Sequence, residues 1–230
     1  MKHAVLSSAT GRALLLSIAV TLLLYLVPYG DLLAYPLLLI STVAHEMGHG
    51  FTAQLLGGSF HSFSMSADGS GVASYSGNLG RLGAAMVAAG GLIGPAFVAA
   101  LCFLLARTER GARGALVAAG VFLLIAEVLV VRGGFGWFFV GLLGATLLGI
   151  GLRAEPRAGQ TALVFLAVQL SLSVFSRSDY LFATHAGPMP SDVAQMAQAL
   201  WLPYWFWGLV CGGVSLAILA AGVGTFLRRV

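Results

Sequence analysis

Two histidines and a glutamate lie close together in the stretch "STVAHEMGHGF", residues 41–51. On a helix, residues four positions apart point in the same direction, so His45 and His49 can bind one metal ion. Glu46 lies beside that face and can act as general base for an attacking water. The H-E-x-x-H spacing therefore predicts a zinc centre with hydrolytic chemistry.

The chain around this motif is strongly apolar. Of its 230 residues, 59% are hydrophobic and only 9% are charged, and the mean hydropathy is +0.94. A soluble domain would carry about 25% charged residues, so we predict an integral membrane protein. Ionisable residues inside membrane segments are costly and generally mark functional sites. A hydrogen-bonded histidine pair inside a helix bundle is the alternative interpretation, and it leaves Glu46 unexplained.

Apolar segments of about 20 residues are long enough to cross a membrane. They predict an all-α polytopic membrane protein with about six to seven transmembrane helices, forming a single domain over residues 1–230. The candidate spans are 13–29, 33–57, 83–106, 114–131, 135–152, 161–177 and 203–227.

The connection after the second span, residues 57–81, has its own pattern. Phe63 and Met65 alternate with serines, and "DGSG" at 68–71 offers a turn, which together predict a small β-hairpin. An exposed strand edge at 60–67 could hold an extended substrate segment by β-augmentation.

The formal charge of +4 is spread in small groups between apolar segments. This distribution suits helix ends at a lipid headgroup surface. We therefore expect the lipid bilayer as a partner and no nucleic acid. With seven spans, five basic residues fall on one side and seven on the other, which leaves the orientation open.

The stretch "AHEMGHGFTAQLLGG" (44–58) resembles the active-site helix of the site-2 protease family, which are intramembrane zinc metalloproteases. The hairpin and "GGLIGPAF" (90–97) are also similar to that family, in particular to its compact bacterial and plant members. The resemblance implies Zn²⁺ as cofactor, a transmembrane protein as substrate, a possible accessory membrane protein as partner, and a multi-pass location in a bacterial inner membrane.

The resemblance also implies an aspartate as third zinc ligand, but the N-P-x-x-D-G-like context that carries it in the family does not occur here. Asp179 matches His49 in depth when both are counted along their own spans, so we predict it as the ligand. Asp192 is the runner-up, with a role in the first turn of a helix as its alternative. Glu127 could line the site or pair with Arg132.

The leading hypothesis is a zinc-dependent intramembrane endopeptidase, with Glu46 as general base and His45, His49 and Asp179 or Asp192 as ligands. A metal or proton transporter is a second hypothesis, which predicts polar residues along several spans. The third is a catalytically silent relative that regulates a membrane partner.

Overall fold

The computed structural model describes residues 9–176, 181–186 and 189–228. Seven long helices, one short helix and five short strands make up this part of the chain. In order, these are α1 (Ala9–Leu26), α2 (Gly30–Leu55), β1 (Ser59–Met65), β2 (Gly71–Ser76), α3 (Gly80–Leu105), α4 (Glu109–Leu129), β3 (Val131–Arg132), α5 (Gly134–Arg153), α6 (Pro156–Ser176), β4 (His185–Ala186), β5 (Met189–Pro190), α7 (Asp192–Leu200) and α8 (Tyr204–Leu227).

Each of the seven long helices overlaps one of the predicted spans. By length and composition, five of them can cross a membrane, namely α3, α4, α5, α6 and α8. Helix α1 is apolar over the shorter stretch Leu14–Leu24, and α2 carries the polar residues of the motif. The fold class is thus confirmed as a polytopic helical protein with a small β element, while membrane crossing by α1 and α2 stays a prediction.

The predicted hairpin is present, and its turn forms as the sequence suggests. Strands β1 and β2 pair antiparallel from Ser59–Ser76 to Met65–Gly71. Asp68 Oδ1 accepts hydrogen bonds from the Ser70 backbone N–H at 2.9 Å and its hydroxyl at 2.6 Å. Gly69 takes a positive φ of 85°, a conformation that glycine adopts without strain.

A third strand corrects the prediction of a free edge at 60–67. Strand β3, in the connection between α4 and α5, pairs parallel with β1 at Phe63 and Ser64. The strand order is β2-β1-β3, so β1 is central. Among the described strands of this sheet, β2 is the long one whose outer edge is unpaired.

The hairpin lies along the motif helix α2. The Tyr35 hydroxyl donates a hydrogen bond to the Ala67 carbonyl, and the Thr42 hydroxyl donates to the Gly69 carbonyl at 2.8 Å. Because Thr42 lies one helical turn before Glu46, these bonds place the start of β2 beside the motif.

Glycines bring α2 and α3 into close contact on the other side of the motif. A Cβ atom on Gly48 would lie 2.3 Å from the Gly90 carbonyl oxygen, and one on Gly94 would lie 2.7 Å from the Ala44 carbonyl oxygen. Small residues allow such close helix contacts in membranes. Gly50 faces the Phe60 ring of β1 rather than a helix.

Candidate metal centre

The two motif histidines are buried side by side on α2. Their Nε2 atoms are 3.1 Å apart. The Nδ1 atom of His49 lies 2.8 Å from the Val87 carbonyl oxygen of α3. Since a carbonyl can only accept, Nδ1 carries a proton, so Nε2 is the ring nitrogen that faces the shared space and is available to a metal ion. Such a bond orients an imidazole for metal binding.

Asp192 reaches these histidines from the first residue of α7. Its Oδ2 atom is 3.1 Å from His45 Nε2, and its Oδ1 atom is 3.4 Å from His49 Nε2. The preceding residue, Ser191, caps the helix by accepting a hydrogen bond from the Ala194 N–H. The structure therefore places the runner-up aspartate in the first turn of a helix and beside both histidines.

Packing and loop contacts hold Asp192 at this position. Val193 and Met196, both buried, share an apolar cluster with Ala85, Ala88 and Leu92 of α3. Ser191 also donates its hydroxyl proton to the Ala183 carbonyl at 2.5 Å. Helix α7 thus lies against α3, the same helix that contacts the histidine face of α2.

The three side chains fit a tetrahedral metal ion. A zinc ion with bonds of about 2.0–2.1 Å has ligand atoms roughly 3.4 Å apart, and the separations here are 3.1, 3.1 and 3.4 Å. Together, His45, His49 and Asp192 form a buried group that could hold a metal ion. Two imidazoles and one carboxylate leave a fourth position for a reactant, as in catalytic zinc sites.

The charge state of Asp192 also suits metal binding. Burial by itself raises the pKa of its carboxyl group, but the neighbouring His49 and His45 outweigh this effect and hold the pKa below its ordinary value. Asp192 is therefore ionised at neutral pH, and a carboxylate binds a metal ion in this form.

Glu46 is buried next to this group and faces the hairpin. A Cβ atom on Gly71, at the start of β2, would lie 2.7 Å from Glu46 Cγ and 3.0 Å from its Oε1. The absence of a side chain at Gly71 thus makes room for the glutamate. Glu46 forms none of the three ion pairs found in the described ranges.

The remaining sequence candidates are placed elsewhere. Asp179 lies outside the described residues, so its assignment stays a prediction. Glu127 is buried in α4 against Gly141 of α5. It does not pair with Arg132, whose guanidinium donates to the Val131 and Leu129 carbonyls at 2.8 Å each.

The sequence did not reveal two features around His49. The first is the Val87 carbonyl, for which a single sequence carries no signal because any residue supplies one. The second is Gly91, where a Cβ atom would lie 2.2 Å from two atoms of the His49 ring. The glycine pair in "GGLIGPAF" was the available signal, but it did not indicate which glycine faces the ligand.

The comparison with protein families agrees with this geometry. A family model described as peptidase M50B-like matches residues 15–222. No match was found among curated proteins or among solved structures. Because the family model covers most of the chain, and includes all three residues of the group and Glu46, the protein belongs to the peptidase M50B-like family, a metalloprotease branch of the site-2 proteases.

Proposed function

We propose that this protein is a zinc-dependent endopeptidase that cleaves peptide bonds within or next to the membrane. The observation that carries the proposal is the convergence of His45, His49 and Asp192 beside Glu46, in a chain with five helices apolar enough to span a bilayer. Family membership implies a metalloprotease, and the donor set supports zinc as the metal.

His45 and His49 would hold the ion through Nε2 and Asp192 through a carboxylate oxygen, with Asp179 as the other candidate acid. When bound, zinc supplies a Lewis acid that polarises the scissile carbonyl and makes water a nucleophile near neutral pH. The Val87 carbonyl keeps the His49 proton on Nδ1, so that Nε2 remains a ligand. The close contact of α2 with α3 holds the two imidazole rings in fixed positions.

Glu46 would act as the proton carrier of the reaction. Its carboxylate takes the proton from the attacking water and passes it to the nitrogen of the leaving amine, so that the carboxylate is regenerated at the end of the cycle. Burial suits this role, because a site that excludes bulk water strengthens each electrostatic interaction. The Gly71 position keeps the hairpin in contact with Glu46 without crowding it.

The substrate class follows from the surroundings of the site. We propose a transmembrane protein whose helix unwinds locally, because helical hydrogen bonds otherwise hide the scissile carbonyl. The unpaired edge of β2 could hold the unwound segment by β-augmentation. Strand β2 suits this role better than β1, because its first residue, Gly71, lies against Glu46. Burial and, to a smaller extent, the charge of Asp192 raise the pKa of Tyr75 in the same strand.

The decisive experiment compares two buried glutamates. Glu46→Gln removes the proton carrier but keeps its size, and we expect the rate of cleavage of a membrane substrate to fall by about 10²–10⁴-fold. Glu127→Gln removes a carboxylate that is equally buried in a long helix but lies away from the histidines, so its rate should stay near wild type. Elemental analysis should find about one zinc per chain in all three proteins.

Three outcomes would contradict the proposal. The first is cleavage by Glu46→Gln at the rate of the wild type. The second is zinc flux into proteoliposomes that is unaffected by Glu46→Gln, a result expected of a transporter. A zinc-loaded wild-type protein that cleaves no membrane substrate, including those trapped by Glu46→Gln in cells, would favour the silent regulator.

A further inference from the structure

A groove of about 670 Å³ runs along the outer face of α4, far along the chain from the metal-binding residues. The groove is open, and its lining is mainly apolar, with small residues such as Gly114 and Ala118 among larger ones. Arg113 is the charged residue in its lining. The remaining lining residues are Val117, Val121, Phe122, Ile125, Gly151 and Leu152.

The length of the groove matches one leaflet of a bilayer. From Arg113 to Ile125 there are 12 steps along α4, or about 18 Å at 1.5 Å per residue. The hydrocarbon core of a bilayer is about 30 Å thick, so one leaflet measures roughly 15 Å. Val121, Phe122 and Ile125 are each at least 40% exposed, so an acyl chain can reach the groove from the lipid phase.

Arg113 lies at the end of the groove near the start of α4, and its guanidinium uses only some of its N–H donors. Its Nε donates to the Gly151 carbonyl at 3.1 Å, and Nη2 donates to the Leu152 carbonyl at 3.2 Å. A guanidinium has five N–H donors, so three remain. Because the two bonds to α5 hold the group in place, those donors are already oriented for a phosphate, which arginine binds through paired hydrogen bonds.

The net charge at this end of the helices is positive, which matches an anionic ligand. Helix α4 begins here, α5 and α8 end here, and the helix ends and connections on this side carry more arginines than acidic residues. Glu109 is partly neutralised by Arg157 at 3.6 Å. The basic residues are Arg107, Arg110, Arg113, Arg153, Arg157 and Arg228, and the acidic ones are Asp31, Glu109 and Glu155.

We propose that the α4–α5 groove binds one anionic phospholipid, with an acyl chain along Val117–Ile125 and the phosphate at Arg113. A second transmembrane helix fits the groove less well, because an arginine at one end of an apolar groove matches a molecule with one anionic end. The groove shares no residue with the metal centre, and its test does not depend on proteolysis.

The test uses native mass spectrometry of the full chain in detergent, with phosphatidylglycerol or phosphatidylcholine of identical acyl chains. We expect one phosphatidylglycerol to be retained preferentially. Arg113→Gln should weaken its binding about tenfold, as loss of a charge-assisted hydrogen bond does. Arg132→Gln is the matched control, because Arg132 also donates to backbone carbonyls at an end of α4 but does not line this groove.

A second variant tests the groove without changing the charge. Ala118→Trp should occupy part of the groove and lower phosphatidylglycerol binding by a similar factor, even if Arg113→Gln proves too unstable to purify. Equal retention of both lipids, binding that survives Ala118→Trp, or complete competition by inorganic phosphate would each overturn the proposal. So would a dimer of the wild type that Ala118→Trp converts to a monomer, since a second copy would then be the occupant.

Discussion

Helices α2 and α7 both contribute to the candidate metal centre, and they are held in place in different ways. Helix α2 is 26 residues long, carries His45 and His49, and packs backbone to backbone against α3 through glycines. Helix α7 has nine residues and brings Asp192 from a connecting region. It is held by a small apolar face and by bonds at its two ends.

The half of the site on α2, with His45 and His49, is therefore preformed, whereas the half on α7, with Asp192, is adjustable. Around His49, a shift of α2 would require α3 to move with it, because the two backbones are in contact at Gly48 and Gly90. Around Asp192, the position of the carboxylate depends on side-chain contacts, among them the bond of Ser191 to the Ala183 carbonyl. Mutations that disturb the first half should therefore cost more than those that loosen the second.

The largest effect should come from removing the carboxylate itself. Asp192→Asn keeps the shape of the side chain but loses the charge and one ligand, so we expect zinc affinity to fall by more than about 100-fold, the upper range for loss of an outer-sphere partner. Competition with a chromophoric chelator measures this value. Cleavage of a membrane substrate should fall with it.

Asp179→Asn is the matched control for this prediction. It removes the same charge from the aspartate that was predicted as ligand because its depth along its span matches that of His49. If Asp192 alone serves as the acid ligand, the zinc affinity of this variant should stay within about twofold of the wild type. The reverse result, with zinc lost in Asp179→Asn and kept in Asp192→Asn, would leave Asp192 as a helix-end aspartate that pairs with histidines.

The two halves also differ in how far the sequence predicts them. His45, Glu46 and His49 lie within one helical turn, so helix geometry alone brings them together. Asp192 is 147 residues from His45, and its approach depends on how α7 packs against Ala85 and Leu92. Its place after Ser191 already had a sufficient explanation in helix capping, so nothing local pointed to a second role.

For the fold as well, the sequence predicts the elements with a local pattern but not those that depend on long-range packing. Apolar length predicted all seven long helices, and alternation with a "DGSG" turn predicted β1 and β2. Strand β3 was not predicted, because two residues carry no periodic pattern and their pairing with Phe63 is set by the packing of α4 and α5. This long-range contact changed which edge of the hairpin is free.

A smaller but still large effect is expected from crowding the preformed half. In Gly91→Ala, the new methyl group would lie 2.2 Å from the His49 ring, and overpacking of this kind costs about 1–3 kcal/mol. Zinc affinity should fall by roughly 10–100-fold. Gly149→Ala is the control, since no atom lies within 4 Å of its added Cβ; equal affinities in the two variants would show that α2 and α3 are not rigidly coupled.

The smallest effect should come from loosening the end of α7 that is remote from Asp192. Arg81 of α3 donates to the Gln198 carbonyl at 3.2 Å, and its guanidinium lies 4.0 Å from the ring of Trp201, the residue that ends the helix. Both groups are exposed, where a cation–π contact is worth about 0.5–1 kcal/mol. The contact therefore limits how far α7 can pivot about its apolar face.

Arg81→Gln should accordingly weaken zinc binding about two- to fivefold, with the free energy of unfolding changed little. Trp201→Phe keeps an aromatic face and should fall between this variant and the wild type. Arg157→Gln removes an arginine whose pairing with Glu109 is exposed, and it should leave zinc affinity unchanged. If Arg81→Gln weakened zinc as much as Gly91→Ala, α7 would be no more adjustable than α2, and the contrast between the two halves of the site would not hold.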